Sequence, residues 1–171
     1  SWVYQAGIQS GEIVVASVNP PALDQLQSDW PTGSLPPPEV IRSFDQLKLS
    51  IQVDAPERVG IDRLLNAVAA NRLRRSGEAM MIIGSGTAGT IDLLDPSGTF
   101  IGGAIFSGLE MTARSLHDYT AQLPLLTVEE LRSDSPEALG KNTRSAMHAG
   151  IFWGHVGAVK ELIARLGDQF P

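Results

Sequence analysis

The stretch that decides the fold is AMMIIGSGTAGTIDLLDPSGTFIGGAIFSG, residues 79–108. Apolar runs alternate here with glycine clusters, and an Asp-Pro-Ser-Gly sequence separates the second run from the third. Short runs bounded by turn residues predict three strands joined by tight turns. A helix is expected to follow, because Leu109, Ala113 and Leu116 recur at helical spacing. The stretch therefore predicts a three-stranded meander and a helix, an arrangement whose turn amides can hold a phosphate group.

Further elements are predicted on both sides of this meander. Strands are expected at residues 12–18 and 47–53, helices at 22–30, 60–75 and 142–166, a short element at 127–131, and a proline-rich connector at 31–39. In the second helix Ile61, Leu65 and Val68 lie on one side, which we expect to be the buried side. Strands mixed with helices in this way predict the α/β fold class.

Composition excludes several classes of function. The 171 residues carry a net charge of −6 with 43% hydrophobic and 19% charged residues, which is typical of a globular protein and unlike a nucleic-acid binder. The absence of cysteine excludes disulfides and thiolate metal sites, and no apolar run is long enough for a membrane span. The three histidines, His117, His148 and His155, are too scattered to predict a metal site.

The glycine turn at residues 84–89 reads Gly-Ser-Gly-Thr-Ala-Gly, which matches the dinucleotide-binding pattern G-x-G-x-x-G. That pattern requires a helix to start inside it, whereas a second strand follows here, so we reject the dinucleotide interpretation. Two interpretations stay open. Either the Gly86 amide and the Thr87 hydroxyl contact a phosphate, or the turn is a tight hairpin that needs glycine and binds nothing.

Six segments in order resemble one family, the type III pantothenate kinases. They are VVASVNP at 14–20, APERVGIDRLLNAVAA at 55–70, the hairpin at 82–92, IGGAIFSGL at 101–109, TAQLP at 120–124 and GKNT at 140–143. The resemblance implies an actin-like, ribonuclease H-like ATPase fold. In this interpretation residues 1–77 form a partial N-terminal domain that includes the GIDR helix, and residues 78–171 form the C-terminal domain.

The resemblance also implies an activity. The family transfers the γ-phosphate of ATP to the primary hydroxyl of pantothenate, the first step toward coenzyme A. We therefore expect a cytoplasmic homodimer that uses ATP, Mg²⁺ and a monovalent cation, K⁺ or NH₄⁺. The alternative is a catalytically inactive binding or regulatory homologue on the same scaffold. A third interpretation is a kinase for another small hydroxyl compound.

On the substrate side, Asp62 matches the family acid that accepts the proton of the substrate hydroxyl. Gly60 and Arg63 match substrate-contacting positions beside it, and the Arg63 guanidinium is suited to a carboxylate. Thr143 matches a threonine that reaches pantothenate from the partner subunit. Structural roles are the alternatives: a helix cap for Asp62 and for Thr143, a surface ion pair for Arg63, and a turn for Gly60.

On the nucleotide side, Gly86 and Thr87 match the phosphate-contacting part of the hairpin. Gly102, Gly103 and Gly108 match glycines on the adenosine side. The alternative role for these three is a bend where a strand meets a helix.

The chain departs from the family pattern at the phosphate site. Gly84 stands where the family has an aspartate that helps to position the metal and phosphates, and Asp92 matches a different family position. Ser107 replaces a family proline, a milder change. The family's opening D-x-G-N-T strand does not occur in this sequence. We therefore expect the ATP-phosphate site to be incomplete, either because an N-terminal segment is absent from this chain or because the chain is a degenerate relative.

Overall fold

The computed structural model describes residues 12–31 and 36–168, which form a mixed α/β structure. Its elements in chain order are β1 (Val14–Ala16), α1 (Pro20–Ser28), β2 (Glu39–Ile41), α2 (Ile61–Leu73), β3 (Met80–Ser85), β4 (Ala88–Leu94), β5 (Phe100–Ser107), α3 (Leu109–Asp118), α4 (Val128–Leu131) and α5 (Thr143–Gly167). Strands β1 and β2 pair in parallel, and β3, β4 and β5 form a separate antiparallel sheet with β4 in the centre.

The meander predicted from residues 79–108 is confirmed, with a helix after it. Its second turn is closed by Asp95, whose carboxylate accepts hydrogen bonds from the Ser97 and Thr99 amides at 2.8 and 2.9 Å. The Ser97 hydroxyl donates to the same oxygen, and these bonds hold the pKa of Asp95 below its usual value. Gly98 completes the turn with a φ of +87°, a conformation that favours glycine.

Two of the outer predictions are wrong in part. Residues 47–53 form no strand, because only Ile51 bridges to Phe100 and the pairing does not extend. Helix α1 begins two residues before the expected start, at Pro20, since proline suits the first helical turn. Asn19 caps it by accepting the Ala22 amide at 3.2 Å. Strand β2 is not predicted from the sequence, because it begins at the last residue of the proline-rich segment 31–39 that was predicted to be a connector.

Helix α2 confirms a predicted element, but its buried side is different from the one predicted. Leu64 and Ala67 are completely buried and Ala70 is nearly so, whereas Ile61, Leu65 and Val68 are half-buried flanks. The small alanines let the helix axis approach the sheet closely. The core that results contains Leu64, Ala67, Ala70, Leu94 and Phe100, with Met80, Ile82 and several loop residues packed around it.

A second core lies between the three C-terminal helices. It contains Ala113, Leu126, Leu131, Met147 and Ile151. Helix α4 and helix α5 both confirm predicted elements, and α5 is one continuous helix. The first core joins residues on both sides of position 77, and the division into domains 1–77 and 78–171 stays a prediction.

Candidate functional site

The first turn of α2 presents a carboxylate to solvent. Gly60 is the N-cap residue and no side chain caps the helix, so the helix-cap interpretation of Asp62 is wrong. Asp62 follows in the first turn and is exposed. A Cβ atom on Gly60 would lie 2.5 Å from Asp62 Oδ1, so glycine leaves the space that this carboxylate occupies.

Arg63, the next residue, turns inward and pairs with Asp92 on the central strand β4. Its Nε donates to Asp92 Oδ1 at 2.9 Å and to Oδ2 at 3.3 Å, and its Nη2 donates to Oδ1. The Asp92 carboxylate is 1% exposed and the Arg63 side chain is 15% exposed. The guanidinium carbon also lies 5.8 Å from the centre of the Phe100 ring. The surface ion pair that was the alternative for Arg63 is therefore a buried one.

The glycine pair of β5 lies beside this ion pair. A Cβ on Gly103 would fall within 3.0 Å of the Ile91 carbonyl oxygen and of Asp92 Oδ1, so only glycine fits next to the buried carboxylate. Gly102 has a φ of +107°. Gly108, the third glycine of the predicted set, lies at the other end of β5 against the hairpin. The structure thus separates Gly102 and Gly103 from Gly108.

The sheet face that carries Asp92 is only partly covered by α2. Directly paired residues of an antiparallel sheet share a face, and Asp92 pairs with Ile82 and Gly103. The next row on that face is Gly84, Thr90 and Ile105, of which Ile105 is 63% exposed. This row is roughly 7 Å from Asp92 along the strand. We refer to Gly84, Thr90 and Ile105 as the open row.

Contacts at its two ends give the direction in which α2 crosses the sheet. Its last turns lie over the turn between β4 and β5, where Asn71 donates to the Gly98 carbonyl at 3.0 Å and Arg74 donates to the Pro96 carbonyl at 2.9 Å. Its first turn lies over Asp92. The helix therefore runs in the direction that takes its N-terminus to the end of the sheet where the β3–β4 hairpin lies.

The hairpin itself forms one wall of a pocket of about 420 Å³. The pocket is lined by Ser85, Gly86, Thr87, Leu109, Glu110, Val128, Leu131 and Arg132. Gly108 joins the hairpin to α3: its amide donates to the Thr87 carbonyl at 3.0 Å. None of the three hairpin glycines, Gly84, Gly86 and Gly89, has a positive φ. An added Cβ atom would meet the Thr90 hydroxyl at Gly84 and the Phe106 ring at Gly89.

Helix α4, which closes the far side of this pocket, is held by an ion pair to α5. Arg144 donates through Nε and Nη2 to the two oxygens of Glu130, at 2.8 and 2.6 Å. This pair lowers the pKa of Glu130 to about 2. The Thr127 hydroxyl accepts the Glu130 amide, which completes a capping box. Arg132 follows the last residue of α4 and lines the pocket opposite the hairpin.

Thr143 lies apart from the residues above. It is the first residue of α5, and its neighbour Asn142 is the N-cap, so the cap interpretation of Thr143 is wrong. Thr143 lines a groove of about 660 Å³ between α3 and α5, together with Lys141 and Gly150 among others. None of the residues from α2 or from the hairpin lines this groove.

Within residues 12–31 and 36–168, no three histidines, aspartates or glutamates come together as a metal site would require. His117 Nδ1 lies 2.8 Å from the Leu123 carbonyl oxygen, and His155 packs against the Phe106 ring. None of the helices that the structure describes is long and apolar enough to cross a membrane.

The chain is similar in sequence to known proteins over nearly its whole length. The family model described as type III pantothenate kinase matches residues 1–165. The chain belongs to the type III pantothenate kinase family. A type III pantothenate kinase of Dehalococcoides mccartyi strain BAV1 is 36% identical over 164 residues, 94% of this chain and 60% of the relative. The type III pantothenate kinase of Acidiphilium cryptum is 37% identical over 172 residues, which are 97% of this chain and 61% of the relative. The type III pantothenate kinase of Paramagnetospirillum magneticum is 40% identical over 124 residues, which are 72% of this chain and 45% of the relative.

This member of the type III pantothenate kinase family spans about 60% of the length of the relatives that it matches over nearly its whole sequence. Sequence reasoning missed Asp92 as the partner of Arg63, and it missed Glu110 and Arg132 as pocket residues. A signal for Asp92 was available: a charge within the apolar run Thr-Ile-Asp-Leu-Leu must be buried and therefore needs a partner. Glu110 and Arg132 gave no signal, because they meet the hairpin only through the packing of α3 and α4.

Proposed function

We propose that this chain is a pantothenate kinase that transfers the γ-phosphoryl group of ATP to the primary hydroxyl of pantothenate. Family membership supports the reaction, and one observation supports the site. The first turn of α2, with its exposed carboxylate, points along the sheet face toward the end where the glycine hairpin lies. In this proposal a hydroxyl acceptor at Asp62 and a phosphate held at the tip of the hairpin meet around this end of the sheet. Ser85 of the pocket pairs with Gly89 and so lies on the face opposite the open row.

Asp62 is the proposed catalytic residue. Its carboxylate orients the substrate hydroxyl for in-line attack and accepts the proton as the bond to phosphorus forms. Gly60 lets the substrate approach the backbone of the first turn. Nε and one N–H of Nη2 are bonded to Asp92, which leaves both N–H groups of Nη1 and the second N–H of Nη2 for the substrate. We therefore assign Arg63 a contact with the pantothenate carboxylate through this remaining edge of the guanidinium.

The proposed phosphate contact is the Thr87 hydroxyl, which lines the hairpin pocket together with Gly86. The Gly86 amide, which was expected to contact the phosphate, donates instead to the Ala88 carbonyl at 3.1 Å. Gly86 is exposed to water and leaves room for a phosphate oxygen, since a Cβ atom added to it would have no neighbour closer than 3.8 Å. The adenosine would extend from this pocket past Gly108. Gly102 and Gly103 lie by the ion pair and are assigned a packing role with Asp92.

The residues of the pocket fit Mg²⁺ bound to ATP. Glu110 is the one carboxylate among the lining residues, and the Ser85 and Thr87 hydroxyls supply further oxygens. Magnesium typically takes one or two carboxylates together with substrate phosphates. When bound, the ion neutralises charge that develops on the transferred phosphoryl group. The monovalent cation fits less well, because the open row offers the Thr90 hydroxyl and no carboxylate, and no step proposed here depends on it.

Further features of the proposal rest on the resemblance alone. These are the actin-like ATPase fold with domains at 1–77 and 78–171, the cytoplasmic location, and a homodimer in which Thr143 reaches the partner's substrate. The groove beside Thr143 is open to such a contact.

A second candidate is a homologue that binds pantothenate or nucleotide without turnover. Gly84 favours it, because the family carboxylate is absent there and the Thr90 hydroxyl occupies the direction in which a side chain would point, 2.6 Å from an added Cβ. The same experiment separates the two candidates.

The experiment measures ADP release from Mg²⁺-ATP with and without pantothenate, and binding of each ligand by calorimetry. The matched variants are Asp62→Asn and Asp45→Asn, because both aspartates lie in the first turn of a helical segment and only Asp62 is in the proposed site. We expect turnover that depends on pantothenate, a loss of roughly 10²–10⁴-fold in kcat for Asp62→Asn, and no change for Asp45→Asn. Binding without turnover would establish the second candidate, and an absence of both would overturn the proposal.

A further inference from the structure

The buried carboxylate of Asp92 has no part in the proposed chemistry, yet it is the single buried charged residue among those the structure describes. It lies in the middle of the central strand, between Ile82 and Gly103. Burying a charge is costly unless it is paired and hydrogen-bonded. Its position therefore needs an explanation beyond ordinary core packing.

Three structural features converge on this carboxylate. Helix α2 contributes Arg63, whose Nε and Nη2 both donate to it. Strand β5 contributes Gly103, whose missing side chain leaves the space beside Oδ1. Strand β5 also contributes Phe100, which lies beneath the guanidinium. A planar guanidinium held at its edge and its face has one orientation.

The first turn of α2 lacks the usual means of fixing a helix start. Gly60 provides no side-chain cap, and the first-turn Asp62 is exposed. Arg63 is the third residue of the helix and is the residue of this turn that bonds to the sheet. The ion pair therefore anchors this turn to the sheet, although it bonds none of the free backbone amides.

We propose that Asp92 is a positioning residue: through Arg63 it fixes the first turn of α2 against the sheet, and so it sets where the Asp62 carboxylate stands over the open row. The proposal rests on the proposed function for its catalytic consequence, whereas its structural part does not. A misplacement of about 1 Å at a reacting group can cost about 10²-fold in rate.

The test uses Asp92→Asn, which removes the charge and keeps the shape, with Asp95→Asn as the matched control. Asp95 lies three residues further along the chain, at the turn over the other end of α2, and its carboxylate is bonded only within that turn. Arg63→Lys is the third variant, because it keeps the charge but loses the planar fork.

Two readouts are compared. The first is the amide NMR spectrum of Gly60 and Asp62 without substrate. We expect both signals to move in Asp92→Asn and in Arg63→Lys, and to stay in place in Asp95→Asn. The second is kinetics, where we expect kcat to fall about 10–100-fold in Asp92→Asn while the KM for ATP is unchanged.

The two readouts distinguish this proposal from the proposed function. Absence of turnover in the unmodified chain would overturn the proposed function and leave the NMR comparison to decide the positioning role. Unchanged Gly60 and Asp62 signals in Asp92→Asn, or a wild-type kcat in an active protein, would overturn the positioning role. Should Asp92→Asn fail to fold, the neutral pair Arg63→Gln with Asp92→Asn takes its place in the NMR comparison alone, because Arg63 is itself assigned to the substrate. Shifted Gly60 and Asp62 signals would then support the positioning role, and unchanged signals would overturn it.

Discussion

The substitution Gly108→Ala should destabilise the protein by disrupting the contact between the β3–β4 hairpin and the start of α3. A Cβ there would fall within 3.0 Å of three backbone atoms, the Gly86 oxygen and the Thr87 carbonyl oxygen and carbon. Backbone atoms cannot rotate away as a side chain can, so the hairpin or the helix must move. The φ of Gly108 is −72°, which alanine also adopts, so backbone strain does not contribute.

The cost of Gly108→Ala follows from two terms. Overpacking of a close contact costs about 1–3 kcal/mol. Separating the two segments also weakens the hydrogen bond from the Gly108 amide to the Thr87 carbonyl, now 3.0 Å, which contributes about 1 kcal/mol. The sum is about 2–4 kcal/mol, and for a chain of this size it lowers Tm by roughly 5–15 °C.

Gly86→Ala is the matched control, because it adds the same methyl group on the other side of the same joint. Its Cβ would have no neighbour closer than 3.8 Å, and its φ is not positive, so stability should change by less than about 0.5 kcal/mol. Thermal and urea unfolding of both variants give the comparison, and a nucleotide titration of Gly86→Ala should show weaker binding. Equal Tm values for the two variants, or a less stable Gly86→Ala, would refute the account of this joint.

Three further predictions test the core, the open row and the α4–α5 pair. Leu64→Ala should cost about 2–5 kcal/mol in urea unfolding and Leu65→Ala less than half as much, since only Leu64 is fully buried; a larger loss for Leu65→Ala would restore the buried side expected from sequence. Gly84→Ala should cost about 1 kcal/mol, and the cost should vanish in a Thr90→Ala background because the hydroxyl 2.6 Å from the new Cβ is gone; simple additivity would contradict this. The pKa of Glu130 is lowered to about 2 in the folded protein, so its stabilising contribution is complete above pH 4.5 and is lost between pH 4.5 and 2. The Tm difference between wild type and Glu130→Gln should therefore shrink over that window, and a constant difference would count against the ion pair.

The sequence predicts correctly those elements that depend only on residues close together in the chain. The meander follows from apolar runs separated by turn residues, and Asp95 and Gly98 close its second turn in the expected place. The start of α2 at Gly60 and the start of α5 after Asn142 were also expected, since both depend on residues within one turn.

Short sequence patterns did not predict which residues make the contacts between two elements. Periodicity placed Ile61, Leu65 and Val68 on the buried side of α2, but the sheet selects the neighbouring side that carries two alanines, because it allows closer approach. The pairing of Arg63 with Asp92 joins residues 29 positions apart. Such a contact depends on the direction in which α2 crosses the sheet, which no short pattern specifies.

In the proposed function, the first turn of α2 and the β3–β4 hairpin face one shared site. The most direct measurement is amide NMR of the chain titrated with Mg²⁺-ADP and then with pantothenate. We expect ADP to move the signals of Gly86 and Thr87, and pantothenate to move those of Gly60, Asp62 and Thr90, the residue of the open row that lies between them. Pantothenate shifts confined to other surfaces, with the open row unchanged by either ligand, would contradict the shared site.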